Sequence, residues 1–321
     1  VKSMADLSGS EQGIAVGLDT ESIEAVYVKP GETTAMAVTG RVGCGKSTML
    51  QRIGQMVLEV DENTLLYCLD TEKKSLAKLQ EKGTAYARLS EVEKVQDVFA
   101  QILKELMSRM QRRKEAATEI EKEPWIILLI DDIKECNSLP DDIQMQLHRI
   151  MTKTKGYGVL VLCGIRQGDL FNFYTQDQLG VDLKSSGSAL ALSDTAVHYE
   201  GFYKNNFAQS QRNAELEKGF GIFFADNGGR KIKCIDSQEA GMNRIIVTIR
   251  INQKKEYDLE LPVHQKIKDL TQDISDSLEG LDPLSWFDPE KVSFMDKRTG
   301  RRLNPENSLL EECVWNGDIL E

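Results

Sequence analysis

A chain of 321 residues has room for two or three domains at roughly 100–200 residues each, and 40% hydrophobic residues with only 7 prolines exclude a wholly disordered polymer. The 51 acidic residues outnumber the 40 basic ones, and the net charge of −11 argues against a strongly basic nucleic-acid binder, though not against a local basic patch. The longest clean apolar runs, 126–130 and 159–163, fall far short of the ~20 residues a membrane-crossing helix needs, and residues 1–10 hold no apolar signal-peptide core.

In chain order, 14–18 and 25–28 read as short strands, and Lys29-Pro30-Gly31-Glu32 as a turn. Residues 34–39 form a short buried strand that ends at Gly40. After Lys46 the spacing becomes helical, with Met49, Leu50, Ile53, Met56, Val57 and Val60 at three- and four-residue steps. A strand over 65–69 closes on Asp70. A long amphipathic helix then presents Val95, Val98, Phe99, Ile102, Leu103, Leu106 and Met110 on one face. Its end is basic (Arg109, Arg112, Arg113, Lys114), which suits the negative pole of a helix. Residues 115–123 look solvated. A continuous apolar strand, 125–130, runs into Asp131-Asp132. Ile143, Met145, Leu147, Ile150 and Met151 mark another helix, and 159–165, 189–192 and 221–224 read as further strands, the last followed by an Asn227-Gly228-Gly229 turn. Strands alternating with helices predict an α/β fold with a parallel sheet covered on both faces.

The period changes after Gly241. Residues 244–251 and 256–261 alternate like a hairpin around Asn252-Gln253, Ile267, Leu270, Ile274 and Leu278 form one helical stripe, and 292–295 and 319–320 close the chain as short strands. This segment is large enough to fold alone, as a small α+β domain. The six cysteines (44, 68, 136, 163, 234, 313) include no Cys-x-x-Cys pair, and the histidines (148, 198, 264) stand far from them, so reduced thiols are expected rather than disulfides or a zinc site.

The strongest chemical signal is Gly40-Arg41-Val42-Gly43-Cys44-Gly45-Lys46-Ser47, which satisfies G-x-x-x-x-G-K-[ST] without a mismatch between a strand and a helix. Glycines let backbone N–H groups turn inward around phosphate oxygens, and the following helix aims its positive pole at the same anion. Lys46 supplies a charge for the β and γ phosphates of ATP, Ser47 a hydroxyl for Mg²⁺, and Thr48 a further phosphate contact. The partner carboxylate belongs at the end of another buried strand, where Asp131 would hold Mg²⁺ through water. Asp132 occupies the place of a water-polarising Glu and is one methylene shorter. Arg166 and Gln167 follow the 159–165 strand, where a γ-phosphate sensor can sit, and Arg212 lies in a polar stretch that can reach a neighbouring subunit. Asp70 and Glu72 read as caps or solvated groups, and His198 as a satisfied structural histidine.

These residues resemble the FtsK/SpoIIIE family of motor ATPases over roughly 10–237. Gly13 to Asp19 looks like the family's entry strand, 40–47 its phosphate loop, 126–132 its Walker B strand, 157–167 (Y-G-V-L-V-L-C-G-I-R-Q) its sensor strand and 218–226 its late strand. The resemblance implies a P-loop, RecA-like domain over 1–237. Three departures stand out: Asp132 instead of Glu, Ile165-Arg166-Gln167-Gly168 instead of a Thr-Gln-Arg-Pro-like turn, and no basic DNA-tracking character. They look most like a C-terminal module of the EssC/EccC membrane ATPases of type VII secretion. That likeness implies ATP and Mg²⁺ as ligands and a hexameric assembly with other ATPase modules. It also implies export of small helical-hairpin proteins, and a soluble piece at the cytoplasmic face of a bacterial membrane whose anchor lies elsewhere. Hydrolysis is expected to be slow or assembly-dependent; a DNA-translocating motor or a non-hydrolysing nucleotide-gated scaffold are the alternatives.

Residues 243–321 resemble the ubiquitin-like YukD/EsaB proteins of the same system, in the β-grasp order of hairpin, helix 266–279 and later strands ending Trp315-Asn316-Gly317-Asp318-Ile319-Leu320. Conjugation needs a free Gly-Gly end, and the chain stops at Leu320-Glu321, so a docking module, acting within the chain or in trans, is expected rather than a covalent tag. Residues 238–242 read as a linker, with Gly241-Met242 marking either a natural fusion or an engineered junction.

Overall fold

The computed structural model describes residues 12–115, 123–204, 206–225, 228–234, 244–252, 255–263, 265–281, 287–289, 291–312, 314–315 and 317–321. The proposed 238–242 linker, His264 and Cys313 lie outside them, as do most of 115–123. The described residues divide into a larger unit that ends before Asp236 and a smaller one that follows it.

The larger unit is built on one ten-stranded sheet. Its strands are β1 (Ile14–Asp19), β2 (Ala25–Val28), β3 (Ala35–Gly40), β4 (Leu65–Asp70), β5 (Ala85–Arg88), β6 (Ile126–Ile130), β7 (Val159–Arg166), β8 (Ala189–Leu192), β9 (Phe220–Ala225) and β10 (Gly228–Cys234), in the spatial order β2-β1-β10-β9-β8-β3-β7-β6-β4-β5. The six strands from β8 to β5 are parallel, as expected. The other four pair antiparallel, so the sheet is mixed rather than wholly parallel. β5 and β10 were not anticipated. Gly228 and Gly229, expected in a turn, are paired with Ala225 and Phe224 at the start of β10.

The continuous apolar runs follow from burial on both faces. Side chains of a strand alternate sides. Thus Ala35 and Ala37, Leu128 and Ile130, Val161 and Cys163 pack with Val95, Phe99 and Ile102 of α2 (Val92–Glu115) and Ile143, Leu147 and Ile150 of α3 (Asp141–Lys153). Met36 and Val38, Ile127 and Leu129, Leu160 and Leu162 pack with Leu50, Ile53 and Val57 of α1 (Lys46–Val60). Two shorter helices, α4 (Leu170–Gln176) and α5 (Gln178–Ser185), join the first face, and the four-residue α6 (Gln209–Arg212) precedes β9.

The smaller unit is a five-stranded sheet in the order β12-β11-β15-β13-β14. The expected hairpin is β11 (Arg244–Asn252) with β12 (Lys255–Pro262), and β15 (Ile319–Leu320) lies parallel to β11. Helix α7 (Ile267–Leu281) carries Ile267, Leu270, Ile274 and Leu278 into a core with Val247, Ile249 and Leu320. The strand expected over 292–295 pairs only as β13 (Met295–Asp296), against an unanticipated β14 (Arg301–Arg302). This is the β-grasp arrangement of a hairpin, a helix across it and a parallel final strand. Leu320 is buried, and Glu321 is bonded through its backbone to Met295 and through its side chain to Arg250.

Candidate phosphate-binding site

Parallel strands end on the same edge of a sheet, so residues distant in sequence meet there. In register, Gly40 of β3 lies opposite Arg166 of β7, Ile130 of β6 opposite Cys163 of β7, and Leu69 of β4 opposite Ile130. The loop after β3, the acids after β6, the turn after β4 and the tip of β7 therefore surround one cleft of about 340 Å³.

The loop has the conformation that its glycines permit. Gly43 and Gly45 have φ of 81° and 97°, in the left-handed region where an L side chain is strained, although a Cβ at either would meet nothing within 4 Å. Glycine is required here by backbone angle and not by space. Gly45 is the N-cap of α1 and offers no capping side chain, and the first turn of the helix contains no acid. Its amide donors and positive pole are left for an anion in the cleft. The Lys46 ammonium bridges the loop, donating to the carbonyls of Gly40 at 3.1 Å and Arg41 at 2.9 Å.

Opposite the loop stands Asp131, buried at the end of β6. Its Oδ2 accepts from the Thr71 hydroxyl at 2.9 Å, while Oδ1 is buried with no hydrogen-bond partner. A buried carboxylate oxygen left unpaired is costly unless something cationic or a bound water meets it. Ser47 lines the same cleft. A hydroxyl and a single carboxylate suit Mg²⁺, which binds few protein groups and takes its other oxygens from phosphate and water. Among the described residues no cluster of three His, Cys, Asp or Glu forms an all-protein metal site. Asp132 caps the 3₁₀ turn Ile133–Ser138, and burial pushes its carboxyl up from the ordinary aspartate range.

Of the residues singled out from sequence, Val42, Gly43, Gly45, Lys46, Ser47, Thr48, Asp131, Asp132 and Arg166 line the cleft. Gly40, Arg41, Cys44 and Gln167 are not on its wall. Arg41 instead pairs with Glu215 and lies 3.9 Å from Asp194. Arg212 is tied within its own chain to the Phe207 carbonyl and to Glu200. His198 is structural, 2.7 Å from the buried Asp194. Asp70 is a cap, accepting from the amides of Thr71 and Leu76 and the Tyr86 hydroxyl. Glu72 pairs with Arg88 and Ser90. Thr71, Lys73 and Glu135 were not foreseen and, with Ile165 of β7, complete the wall. A second concavity of about 520 Å³, between α2 and α3, is lined by Met107, Met110 and Met145 together with His148, Arg149 and Lys153, and has no glycine loop in its wall.

Cys44 is half-buried beside the cleft, whereas Cys68, Cys136, Cys163 and Cys234 are buried. Burial raises the thiol pKa well above the ordinary range at the first three and to about 12 at Cys234. An alkylating reagent should therefore modify Cys44 about tenfold or more faster than these four. Peptide mapping of a labelling time course checks this; uniform labelling of all five would contradict the burial pattern.

Residues 244–321 match the family model described as WXG100 protein secretion system (Wss), protein YukD. No curated protein matches the sequence. Among solved structures, ATPases 2 and 3 of EssC from Geobacillus thermodenitrificans match with a TM-score of 0.57 and 18% identity, over 69% of this chain and 40% of that one. The cytoplasmic domain of EssC matches at 0.58 and 20% identity, over 69% and 43%. Thermomonospora curvata EccC, ATPases 2 and 3 in complex with a signal sequence peptide, matches at 0.52 and 19%, over 73% and 43%. The chain thus spans about 40% of the length of these structures. At such identities the likeness is one of fold. Residues 244–321 are therefore a YukD-type domain, carried in one chain with a unit that has the fold of the EssC and EccC ATPase domains.

Proposed function

We propose that this chain is an ATP-binding module of a type VII protein secretion ATPase, with slow or assembly-dependent hydrolysis. The observation that carries the reading is the facing pair of a glycine cradle at the N-terminus of α1 and a buried Asp131 whose free oxygen meets no protein donor. Lys46, with the amides of 43–48, would hold the phosphates, and Ser47 and Asp131 would hold Mg²⁺. When bound, Mg²⁺ would neutralise charge on the β and γ phosphates. Arg166 faces the same space from β7 as the sensor of the γ-phosphate.

The setting is supported by the YukD match and by the fold shared with EssC and EccC, one of which is described with a signal sequence peptide. On this reading the module works beside other ATPase modules in a hexameric motor at the cytoplasmic face of a bacterial membrane. Small helical-hairpin proteins are the cargo, and the YukD-type domain serves as a docking element. No helix among the described residues is long and apolar enough to cross a membrane.

The test is a melting curve of the full chain with and without Mg–ATP, for wild type and Lys46→Ala. Nucleotide at 100 times its dissociation constant should stabilise the wild type by about 2.7 kcal/mol, and the variant by much less. An absent shift, or one equal in both proteins, would remove the assignment.

A further inference from the structure

The cleft holds a third carboxylate that no motif singles out. Asp132 stands where a P-loop motor usually has its glutamate, but its carboxylate is engaged, accepting from the amide of Lys134 at 3.1 Å as the cap of the turn Ile133–Ser138. The turn brings the residue three positions later back over its start. The amide of Glu135 donates to the Asp132 carbonyl at 3.2 Å, and Glu135 forms part of the cleft wall beside Asp131 and Asp132. Its side chain is one methylene longer than that of Asp132.

The charges that face Glu135 come from separate elements. Asp131 and Asp132 stand at the end of β6, Lys73 after β4 and Arg166 at the tip of β7. Glu135 is exposed on the cleft side of the turn; its partial desolvation, then Asp132 and Asp131, push its carboxyl up, while Lys73 and Arg166 pull it down, and the net displacement is upward. A carboxylate moved toward neutral pH is a better proton acceptor than one at its ordinary value.

On the reading that this cleft binds Mg–ATP, we propose that Glu135, rather than Asp132, is the general base for ATP hydrolysis. One proton of a water molecule passes to a Glu135 carboxylate oxygen as the water oxygen bonds to the γ-phosphorus. The bond from that phosphorus to the β,γ-bridging oxygen breaks, and its electron pair stays on ADP. The proton then leaves Glu135 for solvent, restoring the carboxylate. Lys46 and Arg166 offset the charge on the transferring phosphoryl group.

The experiment uses the full chain in excess over Mg–ATP and measures phosphate release in a single turnover, with calorimetry for binding. Wild type, Glu135→Gln, Asp132→Asn and Lys46→Ala are compared. Glu135→Gln should bind Mg–ATP within about threefold of wild type and release phosphate roughly 10²–10⁴-fold more slowly, the range expected for loss of a general base. Asp132→Asn should slow release by less than about tenfold. Wild-type release should fall as pH drops through the raised Glu135 value, and that acidic limb should vanish in Glu135→Gln. A Glu135→Gln rate near wild type, or a larger loss in Asp132→Asn, overturns the proposal. So does a wild type that binds Mg–ATP and releases no phosphate, a result that leaves the binding assignment standing. A wild type that binds no more nucleotide than Lys46→Ala removes the binding assignment and the general base with it.

Discussion

Replacing Gly164 with alanine is expected to cost more than about 3 kcal/mol, beyond the usual 1–3 for overpacking, and to weaken Mg–ATP binding. Gly164 lies on β7, the strand beside the Asp131 strand, and its φ is not in the left-handed region, so backbone angle does not demand glycine. Space does. A Cβ there would stand 2.0 Å from the Asp131 carbonyl oxygen and 3.0 Å from its carbonyl carbon. Backbone cannot swing aside as a side-chain tip can. Either β7 separates from β6 or the Asp131 backbone moves, and both displace the carboxylate from Thr71 and from the loop. Gly168→Ala is the control: four residues on, nothing lies within 4 Å of its Cβ and its φ is not positive, so alanine should be neutral or gain up to about 1 kcal/mol by restricting the unfolded chain. Urea midpoints and calorimetric Mg–ATP binding check the pair. A Gly164→Ala protein with a wild-type midpoint would show that the two strands do not approach so closely.

That glycine also marks how far the sequence alone reaches. The phosphate loop and Asp131 are legible because their signals are local: a motif of eight consecutive residues, and an acid at the end of an apolar run. The close approach of Gly164 to Asp131 depends on which strands are neighbours, and chain order does not contain that. The same is true of Thr71 and Lys73. They enter the cleft because β4 lies beside β6, with the intervening β5 at the sheet edge and α2 packed on one face. Arg166 was accessible as the tip of an obvious strand. Gln167 was coupled to it by adjacency, but it begins a new 3₁₀ turn, Gln167–Asp169, and leaves the wall.

The missed strands have physical reasons of the same kind. β10 reads G-G-R-K-I-K-C, with glycines and cations where an apolar run is sought. Its burial alternates because it is half-exposed between β9 and β1, and pairing rather than composition makes it a strand. β5 has only four residues and sits at the sheet edge. Within the smaller unit the hairpin, helix and final strand carried clear periodicity. The two-residue strands β13 and β14 are too short to show any. Glu135 is the instructive case in the site. As one polar residue in a run of them it has no signal of its own, and only the turn capped by Asp132 returns it to the cleft.

Arg109→Ala should destabilise the larger unit by about 3–5 kcal/mol, the cost of removing one partner from a buried charge network. The basic end of α2 looks in sequence like a favourable interaction with the helix pole, worth at most a kcal/mol or so. The structure makes it something else. Arg109 is completely buried. Its Nε donates to Glu105 at 2.9 Å, Nη1 to the Tyr157 carbonyl at 2.9 Å and Nη2 to the Pro124 carbonyl at 2.7 Å. Those carbonyls lie just before β7 and β6, the strands that carry Arg166 and Asp131 at their other ends. Arg113 adds a contact of 4.1 Å over the Tyr157 ring and a bond to the Gly156 carbonyl. Alanine would leave two carbonyls without donors and Glu105 with only Arg112. Burial pushes the Glu105 carboxyl up, but hydrogen bonds from Arg109 and Arg112 outweigh it and hold the group low. A carboxylate held low stabilises the fold above its unfolded value and loses that contribution as pH falls through the folded one. The difference between wild type and variant should therefore shrink as pH drops below the ordinary glutamate range, about 4.3. Urea unfolding of both proteins from neutral pH downward checks the size and the trend. A difference under about 1 kcal/mol at neutral pH would place Arg109 among ordinary surface pairs, and a difference that grows with acid would reverse the sign assigned to Glu105.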